Sequence, residues 1–249
     1  MRKSVESLLD LGGERMAEGK SRHVLGVIAA LAVTAVVFVL VVLGVRSLSG
    51  LGYEPPATAS TTGADVTLSV FPDSYVCHGS TSGAPGGGPH STWVTYCPST
   101  SIKVPAYTTV TVTIKQYDTS TALHNPFFDQ VRGTVGDVMY VNGRPVREVS
   151  PEAPGHTFTI QTPPDTRETN LFVNVPLPGV AENAPSNATV AGHSYPQPNV
   201  IVFKFKTGSP GRYVWHCYVP CGTGLSGGQE GFGGPMSTTG YMAGTVTVT

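Results

Sequence analysis

Tyr213-Val-Trp-His-Cys-Tyr-Val-Pro-Cys-Gly222, followed after a glycine-rich loop by Tyr241-Met-Ala-Gly-Thr-Val-Thr-Val-Thr249, is the stretch whose reading decides the fold. The Tyr, Val and Trp before Cys217 and the Thr/Val alternation after Met242 are the residues of pleated, half-buried strands. One strand therefore delivers two thiols, Cys217 and Cys221, and a returning strand delivers a thioether at Met242. Two thiols and a thioether are soft ligands, the set that copper favours.

Such a site also needs an imidazole, and His124 offers one in Gln116-Tyr-Asp-Thr-Ser-Thr-Ala-Leu-His-Asn-Pro-Phe-Phe128, just past the β-branched run 109–115. Strand, histidine, a distant strand ending in cysteine, then methionine is the order of ligands in a cupredoxin. The chain resembles a membrane-anchored cupredoxin, and is most similar to subunit II of the haem-copper oxygen reductases, whose binuclear motif runs Cys-x3-Cys-x3-His and then Met. Cys217 and Cys221 match that spacing, His124 matches the upstream ligand, and Met242 the thioether, with Met236 as a weaker substitute. The resemblance breaks where the family carries its second histidine, because that position is Leu225 and no histidine follows His216. The tail also resembles the Trp-His-Cys-His of multicopper oxidases, yet Tyr218 replaces its last histidine, and Gly222 falls near where a blue-copper site takes its imidazole.

The other histidines are weaker candidates. His216 adjoins Cys217 in a strand, so its side chain points to the opposite face. His90 and His193 lie in loops from which either could reach over a site, as could His78, although a solvated loop histidine is the commoner case. His156 opens the run Thr157-Phe-Thr-Ile160 and reads as structural.

Four cysteines allow three pairings. Cys77 and Cys97 bracket His78-Gly-Ser-Thr-Ser-Gly-Ala-Pro-Gly-Gly-Gly-Pro-His90, which has almost no apolar side chains to hold it compact. A bridge between them is expected, contributing about 3 kcal/mol by restricting the unfolded chain. Cys217 and Cys221 are then either copper thiolates or a second, local disulfide.

Residues 24–45 carry no charge, long enough as a helix to cross the roughly 30 Å hydrocarbon core. The apolar stretch exceeds the core of a secretory signal, and no small-residue cleavage site stands close behind it. Arg2, Lys3, Arg15, Lys20 and Arg22 precede it, whereas after Arg46 no Lys or Arg occurs until Lys103. That bias places the N-terminus in the cytoplasm and the remainder outside, where disulfides persist. The expected organisation is a cytoplasmic segment 1–23, a transmembrane helix 24–45, a linker 46–64 and a folded domain 65–249. A net charge of −1 with 12% charged residues gives no ground for nucleic-acid binding.

Within the domain, short β-branched runs bounded by Gly and Pro recur at 66–71, 92–96, 101–104, 108–115, 138–141, 157–160, 171–175, 200–206, 211–217 and 242–249. The predicted fold class is an all-β, antiparallel, cupredoxin-like Greek-key sandwich behind one N-terminal transmembrane helix. The Pro-rich 161–199 and Gly-rich 222–240 exceed ordinary sandwich connections and read as contact loops.

The resemblance implies a copper electron-transfer subunit of a respiratory terminal oxidase, passing electrons from an external redox-protein donor to a haem-bearing partner in the membrane. Such a subunit is not itself the catalyst. The loss of the second histidine supports an alternative, a copper-free cupredoxin-fold docking subunit of a quinol oxidase-like membrane complex. An oxidase complete in one chain is disfavoured, since the sequence has no His-x-His and only 7 histidines.

Overall fold

The computed structural model describes residues 57–58, 64–78, 92–223 and 230–249. The expected cytoplasmic segment, membrane span and most of the linker lie outside them, as do His90 and Leu225. No helix among the described residues is long and apolar enough to cross a membrane. Gly52–Thr249 forms one compact unit.

Two six-stranded sheets make up the domain. The first runs β1 (Ala57–Thr58), β4 (Ser101–Val104), β16 (Ala243–Val248), β13 (Gly211–His216), β8 (Pro154–Gln161), β9 (Phe172–Pro178). The second runs β3 (Thr95–Cys97), β2 (Asp65–Phe71), β5 (Thr109–Gln116), β12 (Asn199–Lys206), β6 (Met139–Val141), β7 (Arg144–Val146). Two ribbons, β10 (Ala188–Val190) with β11 (His193–Tyr195) and β14 (Gly222–Thr223) with β15 (Glu230–Gly231), complete the described strands.

The alternation read from sequence is what stacks the sheets. Val110, Val112 and Ile114 of β5 and Ile201, Phe203 and Phe205 of β12 point inward with Phe158, Ile160, Tyr213, Trp215, Val246 and Val248 of the facing sheet, all in one buried cluster. Phe158 packs against Phe203 across the layers at 6.0 Å between ring centres. Trp215 is fully buried and its indole N–H donates to Thr100 O at 2.8 Å, so the large ring leaves no polar atom unpaired.

The sandwich is all-β as expected, but not wholly antiparallel. β2 pairs β5 in parallel, and β4 pairs in parallel with both β1 and β16. Alternation reports which face is buried and carries no information on strand direction, so this feature was closed to the sequence. The stretch 161–199 is also more than a contact loop, because β9 within it pairs with β8 over most of its length.

Cys77, in a single helical turn at Tyr75–His78, is bonded to Cys97 of β3, with Cα atoms 5.7 Å apart. The bridge fastens the second sheet to the loop it closes, as its composition led one to expect.

Candidate metal centre

Three elements bring sulfur and nitrogen donors to one end of the sandwich. The first is the end of β13. Tyr213, Trp215 and Cys217 are buried and alternate with half-buried Val214 and His216, so Cys217 inherits the inward face. The Cys217 N–H donates to Met242 O at 3.1 Å, extending the β13–β16 ladder by one residue. The Thr157 N–H in turn donates to Cys217 Sγ at 3.3 Å, and Thr157 Oγ1 accepts from the Tyr218 N–H at 2.7 Å. The chain then turns through Val219, whose carbonyl accepts from the Cys221 N–H at 2.8 Å, and presents the second thiol.

The second element is β8. Its pairing with β9 slips between Pro154 and His156, a bulge centred on Gly155. Bulges re-aim side chains, and this one turns His156 fully inward. His156 Nδ1 lies 3.4 Å from Cys221 Sγ and 3.8 Å from Cys217 Sγ. The three ligand atoms all lie within 4.8 Å of one another. The far nitrogen, Nε2, is 2.9 Å from Asp118 Oδ2.

The third element is the 3-10 turn Gly234–Ser237, which is tied to the approach of β16 by the Met242 N–H donating to Pro235 O at 3.1 Å. It places Met236 Sδ 3.2 Å from Cys221 Sγ. Gly222 makes that approach possible. A Cβ there would stand 2.1 Å from Gly233 O and 2.6 Å from Met236 Cγ.

Burial alone disfavours the His156 imidazolium, but the hydrogen bond to Asp118, then Cys217, outweighs it and raises the ring's pKa to about 9. Burial likewise opposes the Cys217 thiolate, yet hydrogen bonding from Cys221 and His156 holds this thiol well below the usual range. Cys221 is pushed up, first by its hydrogen bond to Cys217 and then by burial. In the metal-free centre these couplings favour the proton on Cys221 over Cys217 and a protonated His156 between Cys217 and Asp118.

This donor set fits a metal ion. Bonds of about 2.0 to 2.3 Å at tetrahedral angles require donors roughly 3.3 to 3.8 Å apart. The sulfur and nitrogen separations here, 3.2, 3.4 and 3.8 Å, have that scale. Asp118 on Nε2 fixes the tautomer that leaves the Nδ1 lone pair for the sulfur side.

Of the residues proposed from sequence, Cys217 and Cys221 come together, and Met236 brings its thioether to 3.2 Å from Cys221. Met242 is fully buried and meets Cys217 through its backbone carbonyl. The imidazole is His156, which the sequence reading had set aside as structural. His124 is exposed and lines a cavity of about 530 Å³ with Phe128, Tyr218, Pro220 and Phe232. It is not in the ligand group, because the chain from Gln116 to His124 leaves the sheet before the histidine is reached. His216 occupies the outer face of β13, near the Tyr218 ring at 6.3 Å, and burial lowers its pKa. His193 stacks on Tyr75 at 5.1 Å. A glycine beside a histidine at the start of an alternating strand, Pro154-Gly-His-Thr-Phe-Thr-Ile160, was the available signal for a bulged and re-aimed ligand.

No family model matches the chain, and no curated protein matches it. Among the solved structures that match is auracyanin B, at 17% identity over 79% of this chain and 91% of that one, with a TM-score of 0.30.

Proposed function

We propose that this chain is a membrane-anchored, cupredoxin-like electron-transfer subunit that holds one copper ion on His156 Nδ1, Cys217, Cys221 and Met236. The observation that carries the reading is the buried convergence of one imidazole nitrogen and three sulfurs, with Asp118 orienting the imidazole. Copper bound there supplies one-electron exchange between Cu(I) and Cu(II). The sulfurs favour the reduced ion and the imidazole suits both states. Ligands fixed on β8, on the end of β13 and on a turn tied to β16 limit the rearrangement between them.

One imidazole among the described donors favours a single ion over the binuclear arrangement of oxidase subunit II. The wider reading keeps the membrane anchor at 24–45, the domain outside the cytoplasm, an external redox-protein donor and a haem-bearing partner in a respiratory complex. The cavity lined by Phe128, Tyr218, Pro220 and Phe232 lies against the Cys217–Cys221 loop. It is the natural approach for such a partner, since Tyr218 and Pro220 belong to the same loop as the thiols.

The test is metal analysis and visible absorption of the full chain, purified in detergent without chelators. About one copper per chain is expected, with a sulfur-to-copper charge-transfer band that disappears in Cys217→Ser. About two coppers per chain would restore the binuclear reading. Absence of copper, with Cys217 and Cys221 joined as a disulfide, would make the chain a copper-free docking subunit.

A further inference from the structure

The side of His156 that faces away from the sulfurs is as constructed as the side that faces them. Its Nε2 meets Asp118 Oδ2 at 2.9 Å, with the two side chains only 1% and 17% exposed. The other carboxylate oxygen, Oδ1, accepts from the Thr119 N–H at 2.8 Å. Both oxygens are thus committed, one to the ring and one to the backbone.

The backbone around Asp118 is pinned in turn. Asp118 O accepts from the Val180 N–H at 2.8 Å, Ser120 Oγ donates to Ala153 O at 2.7 Å, and the Thr121 N–H donates to Pro154 O at 2.9 Å. Two glycines let the segment lie this close. A Cβ on Gly155 would fall 2.2 Å from Thr119 O, and one on Gly179 would fall 2.3 Å from Ser120 N. Each contact is with backbone, which cannot swing aside as a side-chain tip can. Gly155 therefore does two things: it forms the bulge that aims His156, and it admits the segment after β5 that carries the carboxylate.

We infer that Asp118 is the positioning residue that sets the reduction potential of this centre, held against His156 by the slot between Gly155 and Gly179. The inference rests on the copper reading of the site and deepens it. A carboxylate hydrogen-bonded to Nε2, one ring-width behind Nδ1, strengthens that nitrogen as a donor and favours the more highly charged ion. An uncharged partner of the same shape would orient the ring without supplying that field.

Asp118→Asn separates these roles, since it keeps the side-chain shape and removes the charge. The expected result is Cu(II) affinity about 10- to 100-fold weaker, a smaller loss for Cu(I), and so a higher reduction potential by spectroelectrochemistry. Gly179→Ala, with Asp118 retained but its segment displaced, should move the potential in the same direction. A purely structural role would weaken both oxidation states equally and leave the potential unchanged, which would overturn the inference while the copper reading stood. Wild-type protein that binds no copper would overturn both. Pulsed electron paramagnetic resonance of the copper-loaded wild type asks the same question without any substitution. The remote imidazole nitrogen should show the quadrupole coupling of a strongly hydrogen-bonded N–H, and a coupling typical of a water-exposed ring would sink the proposal even if the variants fail to fold.

Discussion

Met236 and Met242 are both buried; Met236 Sδ lies 3.2 Å from Cys221 Sγ, and Met242 meets Cys217 through its backbone carbonyl. Met236→Leu should cost the fold less than about 1.5 kcal/mol, because the volume is conserved, while shifting the charge-transfer band and the reduction potential. Met242→Leu should leave the band in place, and a displaced band in that variant would return the thioether role to Met242. Protons report on the same donors. With His156 raised to about 9 and Cys221 raised above its usual value, both are protonated at neutral pH in the metal-free protein, while Cys217 is held well below the usual thiol range. A metal must displace both protons, so copper uptake at pH 7 should release about two per ion and tighten as pH rises towards 9. Titration in weak buffer with a pH indicator measures this, and uptake without proton release would contradict the ligand assignment.

Elements explain what the sequence could and could not disclose. Cys217 and Cys221 were legible because their spacing is local: one strand end and one short turn fix both. His156 was not, because its distance from the thiols depends on β8 pairing with β13 and on a bulge that appears only as Gly155 beside it. Nor was Asp118, which follows β5 and whose partner lies on β8. The approach of Met236 to Cys221 depends on Gly222, which read as near the place of a lost histidine and is the gap that admits Gly233 and Met236. Gly222→Ala should lower the apo melting temperature, since the added Cβ meets the Gly233 carbonyl and the core residue Met236, and should abolish most of the further rise that copper gives the wild type. An unaltered copper-induced rise would show that the turn at Gly234–Ser237 is not part of the centre.

At the scale of the whole molecule, the two sheets share one core and the Cys77–Cys97 bond ties a loop to its edge. Replacing both cysteines by serine should destabilise the domain by about 3 kcal/mol, read by denaturant unfolding of protein without copper. The orientation argued from the cationic residues before position 24 is open to an equally direct check. External protease on intact cells should degrade the domain beyond residue 64, and full protection in accessible cells would reverse the topology.

The molecule holds its four cysteines in opposite states, one pair bonded and one pair free. An environment oxidising enough to join Cys77 to Cys97 also threatens Cys217 and Cys221, whose sulfurs already lie within 4.8 Å and one of which ionises more readily than an ordinary thiol. On the copper reading, maturation would have an order: copper, or a reductant holding the pair open, would have to reach the second pair before oxidant does. A bound ion would then act as a protecting group for the thiols that hold it. Apo protein aged in air should become refractory to copper at a rate set by thiolate content, and a thiol reductant should restore loading without touching the copper-loaded form.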